Sequence, residues 1–170
     1  PVGNMSDFVT LGLQLLQDRA GTVGLTTTHV LPAINYHKSL STEKNRYLSL
    51  GFTGGWVQRR FDLSKVTTNT QYNGGGIGEN FAGSQYSYID GSAGMSYNST
   101  LGKDENNNFF IGAAYHHFTR PKNAFFRNAG IEIEPKWVFS GGMRFGVTDY
   151  AYITLQADHS RQGNFSETIA

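Results

Sequence analysis

The chain has 170 residues, with 14 Lys+Arg against 13 Asp+Glu for a formal net charge of +1, and no cysteine. The missing thiols exclude a disulfide framework, a thiolate metal site and a cysteine nucleophile. The balanced charge offers no concentrated basic face for nucleic acid. With 21 Gly, 9 Tyr and 12 Phe but only 4 Pro, the composition is that of a β-protein with tight turns and large amphipathic side chains.

No run of about 18 apolar residues occurs, so no transmembrane helix is encoded. A membrane is not thereby excluded, because barrel strands need only ~9–11 alternating residues. The opening residues Pro1 to Asp7 carry no basic region followed by an apolar stretch, so no signal peptide is expected among them. The expectation is a processed chain or a fragment.

Taken in order, the elements repeat with period two. Val9, Leu11, Leu13 and Leu15 oppose Thr10, Gly12 and Gln14. Val30, Pro32, Ile34 and Tyr36 oppose His29, Asn35 and His37, with Leu31 and Ala33 blurring the pattern. The clearest segment is Tyr47 to Val57, where Leu48, Leu50, Phe52 and Trp56 separate from Ser49, Gly51, Thr53 and Gly55. A helix would scatter those groups around its circumference; a strand puts them on two faces. Ile89, Ala93, Met95 and Tyr97 then oppose Asp90, Ser92, Ser96 and Asn98. Phe109 to Phe118 is apolar on both faces. Trp137, Phe139, Met143 and Phe145 oppose Ser140, Gly142 and Arg144, and Ala151, Ile153, Leu155 and Ala157 oppose Thr154, Gln156, Asp158 and Ser160. The reading is seven strands and no helix.

In a meander, consecutive connections alternate between the two ends of the sheet. Asp18–Gly24, Asp62–Gln85 and Arg120–Glu134 fall at one end; Lys38–Arg46, Gly102–Asn108 and Thr148–Asp149 fall at the other. The two longest share an end, the asymmetry of outer-membrane barrels with their longer extracellular loops. Tyr36, Tyr47, Trp56, Tyr88, Tyr97, Phe118, Trp137 and Tyr150 stand near strand ends, as an interfacial girdle requires, although aromatics are also common in strands generally. The strands carry few charges on either face, where a soluble sandwich would place Lys and Glu outside. Seven strands do not close a bacterial single-chain barrel, which has an even number, so the chain is expected to be part of a larger barrel.

No Ser/His/Asp set has a nucleophile context and no carboxylate pair is spaced for acid–base work. His116 and His117 are adjacent in a strand and so are expected on opposite faces, unable to hold one metal together. Gly74-Gly75-Gly76-Ile77-Gly78 lacks the Lys-Ser/Thr of a phosphate loop and reads as a loop tip. With Tyr72, Asn73, Asn80, Phe81, Phe125 and Phe126 it forms the candidate contact for a partner or exported protein; the bland alternative is a solvated glycine cluster. Asp90, Arg144 and Asp158 fall on the polar face, either lining a passage or forming structural ion pairs. Arg59-Arg60 near a strand end either meets head groups or a partner, or is a solvated pair. Asp18, Gly21 and Gly24 form a turn signature.

The run Asp18-Arg19-Ala20-Gly21-Thr22-Val23-Gly24-Leu25-Thr26-Thr27-Thr28, followed by Ile34-Asn35-Tyr36-His37, resembles the PorP/SprF family. So do Leu48 to Asp62, Phe110 to Pro121 and Lys136 to Gly142, in that order along nearly the whole chain. The family consists of outer-membrane proteins of the type IX secretion system of the Bacteroidota, some serving gliding motility. The resemblance implies an all-β, antiparallel up-and-down transmembrane barrel in a single domain spanning 1–170, lacking N-terminal and/or C-terminal strands. It implies no enzyme activity, cofactor or metal. The implied partners are other secretion and gliding envelope proteins, a secreted surface adhesin or its C-terminal domain, and outer-membrane lipid. The implied role is export or surface anchoring of adhesin-type proteins. The alternatives are a general porin or small-solute channel, which needs a charged lumen constriction, and a soluble β-sandwich, which needs polar outer faces.

Overall fold

The computed structural model describes residues 6–41, 45–76, 78, 83–102, 106–125, 130–148 and 150–170. Its strands are β1 (Phe8–Ala20), β2 (Leu25–Ser41), β3 (Arg46–Arg60), β4 (Gln85–Thr100), β5 (Asn108–His116), β6 (Lys136–Thr148), β7 (Ala151–Gln162) and β8 (Phe165–Ile169). Every neighbouring pair is antiparallel and the spatial order equals the chain order, an up-and-down meander. β8 adds a strand to the seven expected. It follows a two-residue Gly163-Asn164 turn in which Gly163 takes φ 55°, the left-handed geometry a two-residue hairpin demands. β1 to β7 run from 9 to 17 residues, as long as or longer than a barrel strand needs to cross a bilayer.

Register sorts the side chains of the whole sheet onto two faces. Val30↔Trp56, Ile34↔Phe52 and Tyr36↔Leu50 stand across β2 and β3. Ala93↔Tyr115 and Tyr97↔Ile111 continue the same face across β4 and β5, and Phe139↔His159 and Met143↔Leu155 across β6 and β7. The opposite face runs through His37↔Ser49, Ser49↔Ser96, Ser96↔Gly112, Gly112↔Ser140 and Ser140↔Asp158, a ladder of small and polar residues. Tyr47 and Tyr88 pair with Ser39 and Val57 on this second face, so they are not members of an outward girdle. Trp56 and Trp137, by contrast, are on the apolar face.

That apolar face has no protein cover. Leu11 is 79% exposed, and Leu13, Leu15, Phe52, Ile89, Ile111, Phe139 and Leu155 are all open. Among the described residues Val57, at 0% exposure, is the one fully buried apolar side chain. A water-soluble sheet of this size hides its apolar face against a second layer, because each large side chain left wet forfeits about 1.5–3 kcal/mol. The polar face is concave and holds a groove of about 450 Å3 across β2 to β6, floored by Gly51, Gly94 and Gly112. Apolar outside and small polar inside is the inversion expected of a sheet that curves around a lumen in lipid.

The long connections share one end, with residues 61–84 between β3 and β4 and 117–135 between β5 and β6. At the same end β1 turns into β2 through Gly21 and Gly24, both at positive φ (70° and 63°), closed by Gly24 N–H donating to Gly21 O over 3.1 Å. The loop 61–84 contains two short helical turns where the sequence reading placed none, a 3-10 turn at Leu63–Lys65 and α1 (Asn69–Tyr72). At the far end, the buried Asp7 carboxylate accepts from Tyr36 Oη (2.8 Å), Lys38 Nζ (3.0 Å) and Ser39 N (2.8 Å), tying the entry of β1 to β2.

Candidate partner surface and concave face

The first long loop is stiffened from within. Asp62 accepts from the backbone N–H (3.0 Å) and hydroxyl (2.6 Å) of Ser64 and pairs with Lys65 at 3.6 Å. These bonds, the Ser64 hydroxyl first, hold its carboxyl below the ordinary carboxylate value. Thr68 and Gln71 form a capping box, each side chain bonded to the other's backbone N–H. A helix of one turn cannot persist on propensity alone, so these caps are what hold it. They present Tyr72 at 88% exposure. Asn73 closes α1, with its N–H donating to Asn69 O. Gly74 donates to Gln71 O (3.0 Å) at φ 83°, and Gly75 donates to Thr70 O (2.8 Å). Residues 72–76 are therefore an exposed but folded tip. Asn80 and Phe81 lie outside the described residues.

The second long loop lies back on the sheet. β5 ends at His116, and His117 takes φ 58°, a left-handed conformation uncommon outside glycine. That turn overrides strand alternation. Both imidazoles come to the concave face, with ring centroids 6.4 Å apart, His116 Nδ1 3.1 Å from Ser92 Oγ and His117 Nδ1 2.6 Å from Asp90 Oδ2. The expectation of opposite faces is thus overturned, because His117 is not in the strand. Among the described residues no group of three or more His, Asp or Glu side chains is arranged to hold a metal.

Phe118 also leaves the strand, with its N–H donating to Gly91 O (3.2 Å). Its ring sits over Gly91 so closely that a Cβ there would come within 2.9 Å of Cε1; any larger residue requires the Phe118 ring to move. Further on, Arg59 Nη1 donates to Asn123 Oδ1 (3.2 Å) and Tyr86 Oη (3.3 Å), and Tyr86 Oη donates to Asn123 Oδ1. Phe125 meets Tyr86 and Phe61 edge to face, at centroid distances of 4.7 and 4.8 Å. Sequence reasoning singled out Phe125 but missed Asn123, Tyr86 and Phe61; the Arg59-Arg60 pair was the one available signal. Arg59 is packed here, and Arg60 is exposed. Phe126 lies outside the described residues.

Asp90, Arg144 and Asp158 all stand on the concave face, far apart along the strands. Asp90 accepts from Gly91 N–H (2.8 Å) and contacts His117, Arg144 lies 3.9 Å from the centroid of the Tyr152 ring, and Asp158 accepts from Gln156 Nε2 (2.9 Å). No ion pair joins the three to one another among the described residues.

An antiparallel meander with an uncovered apolar face, a concave polar face and the long loops gathered at one end defines a membrane β-barrel protein. Residues 1–167 match the family model described as type IX secretion system membrane protein PorP/SprF. The chain belongs to that family and is an outer-membrane component of the type IX secretion system. No curated protein and no solved structure matches it.

Proposed function

We propose that this protein helps export or surface-anchor adhesin-type proteins by binding them, or their C-terminal domain, at the end of the sheet that carries the long loops. In this reading that end is extracellular, the apolar face contacts outer-membrane lipid, and other secretion and gliding components bind the same barrel. The observation that carries the reading is the pre-ordered segment 61–76, whose capping box holds Tyr72 exposed at its tip. A rigid exposed aromatic is the side chain most often found at interface hot spots, because little conformational entropy is lost on docking. Phe125, which meets Phe61 at the root of that loop, and Asn123 hold the second long loop beside this surface. Asp90, Arg144 and Asp158 line the passage side.

The test is a pull-down of the tagged full-length protein from detergent-solubilised outer membranes, followed by mass spectrometry. Stoichiometric recovery of secretion-system subunits or of one large surface protein, lost with Tyr72→Ala, supports the reading. Recovery of the barrel alone, or only of its own copies, overturns it in favour of a small-solute channel.

A further inference from the structure

The second long loop meets the concave side of the sheet through His117, Asn123 and Phe125, while Phe118 packs over Gly91 on the apolar face. Register places Arg59 opposite Tyr86 and Gly55 opposite Asp90 on the face that continues through Gly51 and Gly94 to the groove. Asn123, Phe125 and His117 reach those residues from the loop. The loop therefore folds inward over the rim instead of standing up from it. Its two arms are joined as a small ladder by Asn123 N–H to Ile131 O (2.9 Å), Ile133 N–H to Pro121 O (3.0 Å) and the Lys122↔Glu132 bridge.

We propose that residues 117–125 and 130–135 form an inward-folded tongue that overhangs the long-loop mouth of the groove, held at its root by an Asp90–His117 latch. The left-handed φ at His117 (58°) and Arg120 (45°) marks the two positions where the chain bends in. The latch is close, at 2.6 Å, with the Asp90 side chain 14% and the His117 side chain 30% exposed. Thr119 Oγ1 adds a bond to Ile89 O at 3.2 Å. Neutral imidazole with its proton on Nδ1 donates to the carboxylate, and so does imidazolium. The latch therefore holds in both states of His117, even with His116 and Lys136 nearby on the same face, and it opens by displacement. The displacing agent is a partner at the outer loops. Phe61, at the root of the first long loop, touches Phe125 of the tongue, so a protein docked on the first loop bears on the second through that joint. This last step rests on the docking reading above; the tongue and its latch do not.

The test uses the full-length protein in lipid nanodiscs. The 170 residues contain no cysteine, so Ser96→Cys on the groove floor places a single thiol in this region. Asp90→Ala is compared with His117→Gly, which removes the same contact while glycine accepts the left-handed φ. In both, amide exchange across 118–125 and 130–135 is expected to rise at least about tenfold with β3 and β4 unchanged. Labelling of the introduced groove thiol by a bulky water-soluble maleimide is expected to rise by a similar factor. If the tongue amides stay protected in both variants, the latch is overturned. If the tongue is released and labelling of the groove thiol does not change, the overhang is overturned. Neither result bears on whether Tyr72 binds a partner, which the pull-down decides.

Discussion

The two long loops leave the same end of the sheet and are built on opposite principles. Residues 62–76 are held largely by their own bonds: Asp62 caps its own 3-10 turn, Thr68 and Gln71 cap α1, and Gly74 and Gly75 fold back on Gln71 and Thr70. Residues 117–135 satisfy the sheet: His117, Phe118, Asn123 and Phe125 each contact β3, β4 or the root of the first loop. A self-capped loop can hold a side chain out into solvent; a loop pinned by its side chains can only cover what it is pinned to. Presentation and cover are thus divided between two neighbouring segments of one chain.

The division is broken most severely from the second loop. Phe125→Ala removes two edge-to-face ring contacts, together about 1–3 kcal/mol. Amide exchange measured by mass spectrometry is expected to rise roughly tenfold to a hundredfold across the described part of 117–135. The α1 amides should hold, because their caps are internal. The reciprocal substitution is weaker. Thr68→Ala removes the N-cap at a cost of about 1 kcal/mol, so exchange at Gln71 and Tyr72 should rise about fivefold while Asn123 and Ile133 keep their protection. Accelerated exchange at α1 from Phe125→Ala, or at Asn123 and Ile133 from Thr68→Ala, would contradict the internal capping of α1, whose bonds do not pass through the Phe61–Phe125 contact.

The smallest effect concerns acid. Because Asp62 titrates below the ordinary carboxylate value, the stability its contacts lend is complete above about pH 4. It is lost as pH falls through the lowered folded-state value. Protection of the Ser64 amide should therefore stay constant from neutrality to about pH 4 and decline only below it. A loss between pH 7 and 5 would show that another group governs the turn.

Much of the sheet was legible because a strand facing two solvents writes that difference at every second residue. β3, with Leu50, Phe52 and Trp56 against Ser49, Gly51 and Thr53, lies in the register the alternation demands. β5 was obscure for a physical reason. Phe110 is on the concave face, with its ring over Gly142 of β6, where a Cβ would lie 3.0 Å from Cζ. An inward aromatic of this kind depends on a glycine on the next strand, and no one-strand pattern carries that information. Phe118 read as strand because nothing in His116-His117 announces a left-handed turn. The capping box Thr68-Asn69-Thr70-Gln71 was legible in principle, since Thr followed three residues on by Gln is its signature. The folding-in of the second loop was not, because Arg59, Tyr86 and Asn123 are brought together from across 64 residues.

The central claim is that one face of this sheet belongs to lipid and the long-loop end to a protein. Site-specific photo-crosslinking in intact cells tests both halves at once, with the photoreactive residue placed at Phe52 or at Tyr72 of the full-length protein. The account predicts lipid adducts from Phe52, and from Tyr72 a discrete protein adduct containing a secretion-system component or an exported surface protein. Protein adducts from Phe52 together with none from Tyr72 would contradict it.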